Sequence, residues 1–559
     1  MTDGANRRVK PDDEHEKATC VMQRVFRFLA FSVIASLGGA TPAIARTATP
    51  FWSTVPVDIR AVFDKPAYAK ATWGLRVRDG SRTLVDLNSE HPFLIGSVRK
   101  VFSVGELLNT IGPGHTYDTP VYRTGAITNG TLHGNLILVA SGDLTMGGRT
   151  NPDGSIAISN WDHNEADGLG NAILTDPDPL AGYRRLASAM RAYGIKRIAG
   201  NVIIDDRLFP PFPFRGQFNI RPIFVNDDLV DLSIVPGRAS GARADVGWRP
   251  HSAALEIDNQ LRTGAANSRN TLTLDPVFPA CIGSPGCTAR ISGSLPSNFV
   301  PPLTGQPTLV QAVRIVQPSN YARTVLIEQL AAAGVSVDAP AVAVNPVELL
   351  PAKQSYRRAD ELTELKGLPY ADDAKLVMKI SYNIGADTTL MLFGLAHHVD
   401  TVLAALAIER RTLWSQYGIP SGEYTFVDGS GGGYTTATNA AVTRMLEVLE
   451  RSRASSAFYD SLPILGVDGS LAFVKDFESD PTLAGAMGNV HAKTGTFIDS
   501  VGKTIVLKAQ ALGGYVTTKR GRHLTFELVV NDVPITGIPD VTNVFQDEGT
   551  IAAMLWRDY

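Results

Sequence analysis

The sequence predicts an α+β protein in which both ends of the chain build one domain, an antiparallel sheet flanked by helices, interrupted by a large, mostly β insertion. Three observations predict it. Hairpin patterns open the chain, helical periodicity returns after about residue 358, and strand patterns close it, whereas about 115–355 holds many short strand-like runs rich in Gly and Pro. At 559 residues the chain exceeds one compact domain. Its 44% hydrophobic and 19% charged content is that of a globular protein able to bury a core. The partition that follows is a terminal domain over 46–115 plus 356–559, an insertion over 116–355, and a subdomain nested near 210–310.

In chain order, Arg24 and Arg27 precede an apolar run over 28–40 and then Thr41-Pro42-Ala43-Ile44-Ala45. A basic start, a short apolar core and small residues before a cut make residues 1–45 a secretory signal peptide. Residues 1–21 are polar and sit oddly ahead of it, which makes Met22 an alternative start. The run is short for a membrane span and no cysteine follows at lipid-anchoring distance, so we expect export to the periplasm or cell envelope with at most peripheral membrane association. A net charge of −3 without a basic stripe argues against a nucleic-acid partner.

Strands are expected over 73–78 and 83–87 around the Asp79-Gly80 turn, then a helix over 98–108, and a second hairpin at Asn129-Gly130. Inside the insertion, two helix–Gly–strand units resemble each other: 180–193 with Gly194 and 200–206, and 321–333 with Gly334 and 335–337. Cys281 and Cys287, six apart in a turn-rich segment of an exported chain, read as a small disulfide loop, since no further metal ligands stand nearby. Helices follow over 372–380, 388–397, 401–417 and 439–451, strands over 513–518 and 524–531, and a last helix over 544–556.

Three short motifs carry chemistry: Ser97-Val98-Arg99-Lys100 at a helix start, Ser381-Tyr382-Asn383 between helices, and Lys493-Thr494-Gly495-Thr496 in a late strand. Each is weak alone, as Ser500-Val501-Gly502-Lys503 and Ser268-Arg269-Asn270 repeat two of the patterns. Order and context separate them. A serine hydroxyl needs a neighbouring base, and on a helix Lys100 reaches Ser97 at i+3. Lysine is a base only when neutral, a form that burial and a second cation such as Lys493 favour.

The set S-x-x-K, S-x-N, K-T-G resembles that of penicillin-binding proteins and active-site-serine β-lactamases. Ala140-Ser141-Gly142-Asp143-Leu144, 200–206, Asp428-Gly429-Ser430-Gly431 and 462–469, with 284 residues between Ser97 and Ser381, narrow it to the D-alanyl-D-alanine carboxypeptidase/endopeptidase family, the class C low-molecular-mass penicillin-binding proteins. The resemblance implies that Ser97 is acylated, Lys100 is its base and Ser381 relays the proton to the leaving amine. It implies that Asn383 holds a substrate amide, Lys493, Thr494 and Thr496 hold the terminal carboxylate beside Gly495, and the N–H groups of Ser97 and Thr496 form the oxyanion hole. It further implies peptidoglycan peptides as substrates, β-lactams as covalent inhibitors, and neither cofactor nor metal. Three departures bear on specificity: Tyr382 with Ile384-Gly385-Ala386-Asp387, added residues over 500–510, and the glycine run 431–433. No Glu-x-x-x-Asn element stands some tens of residues after S-x-N, Ile384 stands where a Tyr-x-Asn motif built on Tyr382 would need Asn, and H-E-x-x-H is absent, which disfavours a β-lactamase, an esterase or a metallopeptidase. A catalytically silent wall-binding relative is the other reading. His491, two residues before Lys493, and the pair His397-His398 read as structural as readily as functional.

Overall fold

The structure is a computed structural model that describes residues 54–165, 170–501 and 504–559; the signal segment 1–45 lies outside them. Both chain ends meet in one antiparallel sheet. Strands β1 (Thr72–Asp79) and β2 (Arg82–Leu87) form the first hairpin. Strands β3 (Val490–Val501), β4 (Thr504–Thr517) and β5 (His523–Asn531) come from the other end, in the sheet order β2-β1-β5-β4-β3. The join is β1 against β5, with Leu75 opposite Leu528. The period-2 alternation of these strands explains the layering. Trp73, Leu75 and Val77 face one core with Phe526, Leu528 and the C-terminal helix, while Ala511, Tyr515 and Val529 face a second core with Phe102, Val104 and Leu446.

Four helices position the site. Helix α1 (Lys100–Ile111) is preceded by a 3-10 turn over Gly96–Arg99, so Ser97 lies in a tight turn one step before the predicted helix. Helices α2 (Tyr370–Lys379) and α3 (Asn383–Ala396) flank Ser381, and the unusual segment after Tyr382 opens α3 without interruption. Helix α4 (Ile538–Asp558) starts six residues before the predicted 544 because Pro539 stands in its first turn, where no backbone N–H is required. The added residues near 500–510 lengthen the β3–β4 hairpin.

The insertion carries two four-stranded sheets. One runs Glu361–Leu365, Thr119–Arg123, Leu136–Val139 and Val202–Asp205, and the other Ser336–Val337, Arg197–Ile198, Thr131–His133 and Ala126–Thr128. Glu361–Leu365 pairs with Thr119–Arg123, so the second boundary follows Leu365 rather than 355. The two helix–Gly–strand units stack: Arg197–Ile198 and Ser336–Val337 lie parallel and adjacent, each after a glycine with positive φ (Gly194 98°, Gly334 79°). Within 210–310, the hairpin Phe212–Phe214/Phe218–Ile220 departs from a nested unit, since Phe214 and Ile220 pack into the core of α1 and α2. Cys281 and Cys287 form a disulfide with their Cα atoms 5.3 Å apart. Among the described residues no helix is long and apolar enough to cross a membrane.

Candidate active site

Ser97, Lys100, Ser381, Asn383, Lys493 and Thr494 converge although they come from three distant parts of the chain. Lys100 Nζ is the hub: it lies 2.7 Å from Ser97 Oγ, 2.7 Å from Asn383 Oδ1, 2.9 Å from the Ser430 carbonyl and 3.4 Å from Ser381 Oγ. Lys493 Nζ donates to Ser381 Oγ at 3.0 Å and to the Thr494 carbonyl at 2.8 Å. Ser381 therefore stands between the two lysines. It adopts a left-handed φ of 60°, a conformation uncommon for a non-glycine residue and concentrated at functional sites.

Close backbone approach brings the three motifs together. A Cβ on Gly495 would overlap the Ile95 carbonyl, and one on Gly96 would lie 2.8 Å from the Thr496 nitrogen. Only glycine lets β3 press this tightly against the turn bearing Ser97. The K-T-G glycine is thus a packing residue of the site.

The loop over 428–433, between the short strands Tyr424–Thr425 and Thr436–Thr438, supplies what the motifs lack. Asp428 Oδ1 accepts from the N–H groups of Ser430, Gly431 and Gly432 at 3.0, 2.7 and 3.1 Å, which shapes the loop and aims the Ser430 carbonyl at Lys100. Arg99 clamps the loop from behind, donating to the Asp428 carbonyl at 2.9 Å and to Glu409 Oε2 at 2.7 Å. Asp387 accepts from Gly429 N–H at 3.0 Å. Burial, reinforced by the Asp428 charge, pushes the Asp387 carboxyl up to about 7.

The two threonines differ. Thr494 Oγ1 shares a 2.7 Å hydrogen bond with Ser470 Oγ at the cleft. Thr496 Oγ1 donates to Gln510 Oε1 at 2.9 Å, within the sheet. Ser470 is seated by its neighbours: Gly469 N–H donates to Asn160 Oδ1 at 2.9 Å, and Asp468 pairs with Lys379 at 2.7 and 2.8 Å. His491 stacks on Tyr459 with ring centroids 4.0 Å apart, and burial, helped by Lys379, holds its imidazole below the usual range.

The insertion reaches the same cleft through Asn160, Trp161, Asp162, Arg215 and Leu303. Arg215, on the tip of the Phe212–Ile220 hairpin, points an Nη2 at Ser430 Oγ 3.5 Å away. Neither Ser500 nor Ser268 lines the cleft. Behind Trp161, Asp162, His163 and Asp227 place three potential ligand atoms within 4.8 Å of one another. Arg149 fills that space instead, bonding both oxygens of Asp162 at 2.8 and 2.9 Å and forking onto Asp227 Oδ2. The cluster is a buried ion-pair network, with charges already matched.

The sequence pattern of the D-Ala-D-Ala carboxypeptidase 3 (S13) family matches residues 56–546. The chain belongs to this family. It is 24% identical over 530 residues to the D-alanyl-D-alanine carboxypeptidase of Actinomadura sp. (strain R39), covering 89% of this chain and 84% of the relative. It is 23% identical over 473 residues to the D-alanyl-D-alanine carboxypeptidase DacB of Haemophilus influenzae, covering 81% and 83%. The fold matches the crystal structure of penicillin binding protein 4 (dacB) from Haemophilus influenzae with a TM-score of 0.65, 18% identity, and coverage of 90% of this chain and 100% of that one. The α+β, penicillin-binding-protein-like fold and the family read from the three motifs are both found. The residues the motifs missed are Ser430, Ser470, Gln510, Asn160 and Arg215. Ser430 stands in a segment whose resemblance is visible in the sequence and Ser470 directly follows one, whereas nothing local marks Asn160 or Arg215.

Proposed function

We propose that the protein is an exported serine-type D-Ala-D-Ala carboxypeptidase and DD-endopeptidase that acts on peptidoglycan peptides through an acyl-enzyme on Ser97, and that β-lactams acylate the same hydroxyl. The observation that carries the reading is the surroundings of Lys100 Nζ. As a neutral amine it has two N–H groups, for Asn383 Oδ1 and the Ser430 carbonyl, and a lone pair directed at the Ser97 proton 2.7 Å from Oγ.

Ser97 Oγ attacks the carbonyl carbon of the penultimate D-Ala as its proton passes to Lys100. The oxyanion falls to the N–H groups of Ser97 and Thr496, a type of donor worth about 2.7–4 kcal/mol each. The C–N bond breaks as the leaving amine takes a proton through Ser381, which adjoins both lysines. Water then hydrolyses the ester. Lys493, Thr494 and Ser470 receive the terminal carboxylate, and Asn383 keeps its Nδ2 for a substrate amide because its Oδ1 faces Lys100. In the endopeptidase reaction the leaving amine belongs to a neighbouring peptide. Export is supported by the signal-like N-terminus and the Cys281–Cys287 disulfide.

The test is product analysis with a muramyl pentapeptide and cross-linked muropeptides, beside labelling by a fluorescent penicillin. Release of D-Ala and labelling that Ser97→Ala abolishes, but Ser500→Ala and Ser268→Ala retain, are expected. A folded wild-type protein that neither labels nor releases D-Ala overturns the proposal. N-terminal sequencing of the exported protein should begin near Arg46.

A further inference from the structure

The cleft that contains Ser97 and Ser381 has two unlike halves. Around the two serines it is polar. Beside Thr494 and Ser470 it becomes an aromatic wall built from three separate parts of the chain. Trp161 comes from the insertion, Phe473 from the loop that carries Ser470, and Phe545 from α4. Their rings follow one another, with centroids 5.3 Å apart from Trp161 to Phe473 and 5.2 Å from Phe473 to Phe545. Val541, Leu303 and Phe497 extend the surface. The three wall rings are only half-buried, so each keeps a face toward the cleft.

The wall is held rather than incidental. Gln546, next to Phe545, donates to the Phe473 carbonyl at 3.0 Å and accepts from the N–H groups of Lys475 and Asp476 at 2.9 and 3.0 Å. Asn160, next to Trp161, accepts from Gly469. Besides the two lysines at the serines, the charged side chains lining the cleft are Asp162 and Arg215. Asp162 has both carboxylate oxygens on Arg149, and Arg215 sits over the glycine run, 3.2 Å from where a Cβ of Gly432 would be. Asp162 is thereby matched, and the hydrogen bond of Arg215 is to Ser430 Oγ, in the polar half of the cleft. A charged substituent placed against the rings would lose hydration, whereas an aryl or alkyl group would displace water from three ring faces.

We propose that Trp161, Phe473 and Phe545 form an apolar subsite that selects ligands carrying an uncharged aryl or alkyl substituent next to the group held by Thr494. The inference rests on reading this cleft as the acylation site, and concerns which donors it prefers. The substituent belongs either to the acyl side chain or to the leaving residue. The same wall chemistry serves both, and the two are separated by which half of the ligand is varied.

The experiment measures equilibrium binding to the Ser97→Ala protein, so that no covalent step is needed. One arm compares a penicillin bearing a phenylacetyl side chain with one bearing a charged α-aminoadipyl side chain. The other compares acyl-D-Ala-D-Phe with acyl-D-Ala-D-Glu. The expected result is binding about tenfold tighter for the apolar member of at least one pair, the discrimination typical of a hydrophobic pocket. In Phe473→Ala, and in the milder Phe545→Leu, the ratio in that arm should fall to within about twofold. Equal affinity within both pairs, or a ratio that survives both substitutions, overturns the inference. Labelling of the wild-type protein by both penicillins is read alongside. Labelling without a preference refutes the subsite alone, and a preference without labelling refutes the acylation reading alone.

Discussion

Two buried polar clusters in this molecule use similar ingredients to opposite ends. Around Lys100 an amine is surrounded by neutral oxygens at hydrogen-bonding distance, those of Ser97, Asn383 and Ser430. Around Arg149, in the insertion, a cation is locked between the carboxylates of Asp162 and Asp227, with His163 bridging Asp227 and Asp231. Neutral acceptors hold the lysine in place and leave a lone pair available whenever its proton departs. Carboxylates fix in place an arginine whose guanidinium stays charged in any case. The first arrangement suits proton transfer and the second suits rigidity, and the lesson is that the charge of the acceptors, more than burial, separates a reactive cluster from a structural one.

The sharpest way to break that comparison is to remove each side chain in turn. Lys100→Met should reduce the rate of acylation by a fluorescent penicillin by about 10³-fold or more, with little loss of thermal stability because its neighbours are neutral. Arg149→Met should do the reverse. It leaves buried carboxylates without their partner, so a loss of about 3–5 kcal/mol in urea unfolding is expected, with acylation surviving in the folded fraction. A Lys100→Met protein that unfolds, or an Arg149→Met protein of unchanged stability, would erase the distinction.

The pH dependence of stability sharpens it further. Burial works against the charge of His163, yet the carboxylates of Asp231, Asp162 and Asp227 carry its pKa from 6.5 up to about 9. A folded pKa above the unfolded one means that the stabilisation is complete below about 6.5 and is lost as pH rises through about 9. The melting temperature should therefore fall across that window, and His163→Gln should flatten the fall. A smaller effect is expected beside the catalytic loop. Asp387, raised by burial and Asp428 from 3.8 to about 7, retains its proton where the unfolded chain has released it, so its contribution is full below 3.8 and lost as pH climbs through 7. Melting curves of Asp387→Asn should lack that slope, and an unchanged slope would show that the carboxyl ionises normally.

Much of this is legible in the sequence. Periodicity placed the helices around Ser381 and the closing strands, because long amphipathic segments bury one face wherever they pack. Boundaries were less legible. The helix ending at Asp558 begins at Ile538, since a proline in the first turn reads as a breaker in sequence but is harmless there. The strand Glu361–Leu365 pairs with the insertion although the sequence pattern places it beyond the boundary, because strand pairing is long-range and its partner is 239 residues from it at the Tyr122–Glu361 contact. The motif marks Thr496 but not Gln510, whose contact with the Thr496 hydroxyl comes from the neighbouring strand.

The sequence by itself determined which side chains can react: a serine, two lysines and a second serine in motifs whose order distinguishes them from their local copies. The tertiary structure alone decided what surrounds them. The partner that aims Lys100 is a main-chain carbonyl, at Ser430, and a carbonyl leaves no trace in side-chain patterns because every residue has one. The aromatic wall is likewise assembled from Trp161, Phe473 and Phe545, which are ordinary hydrophobic residues until folding sets their rings side by side.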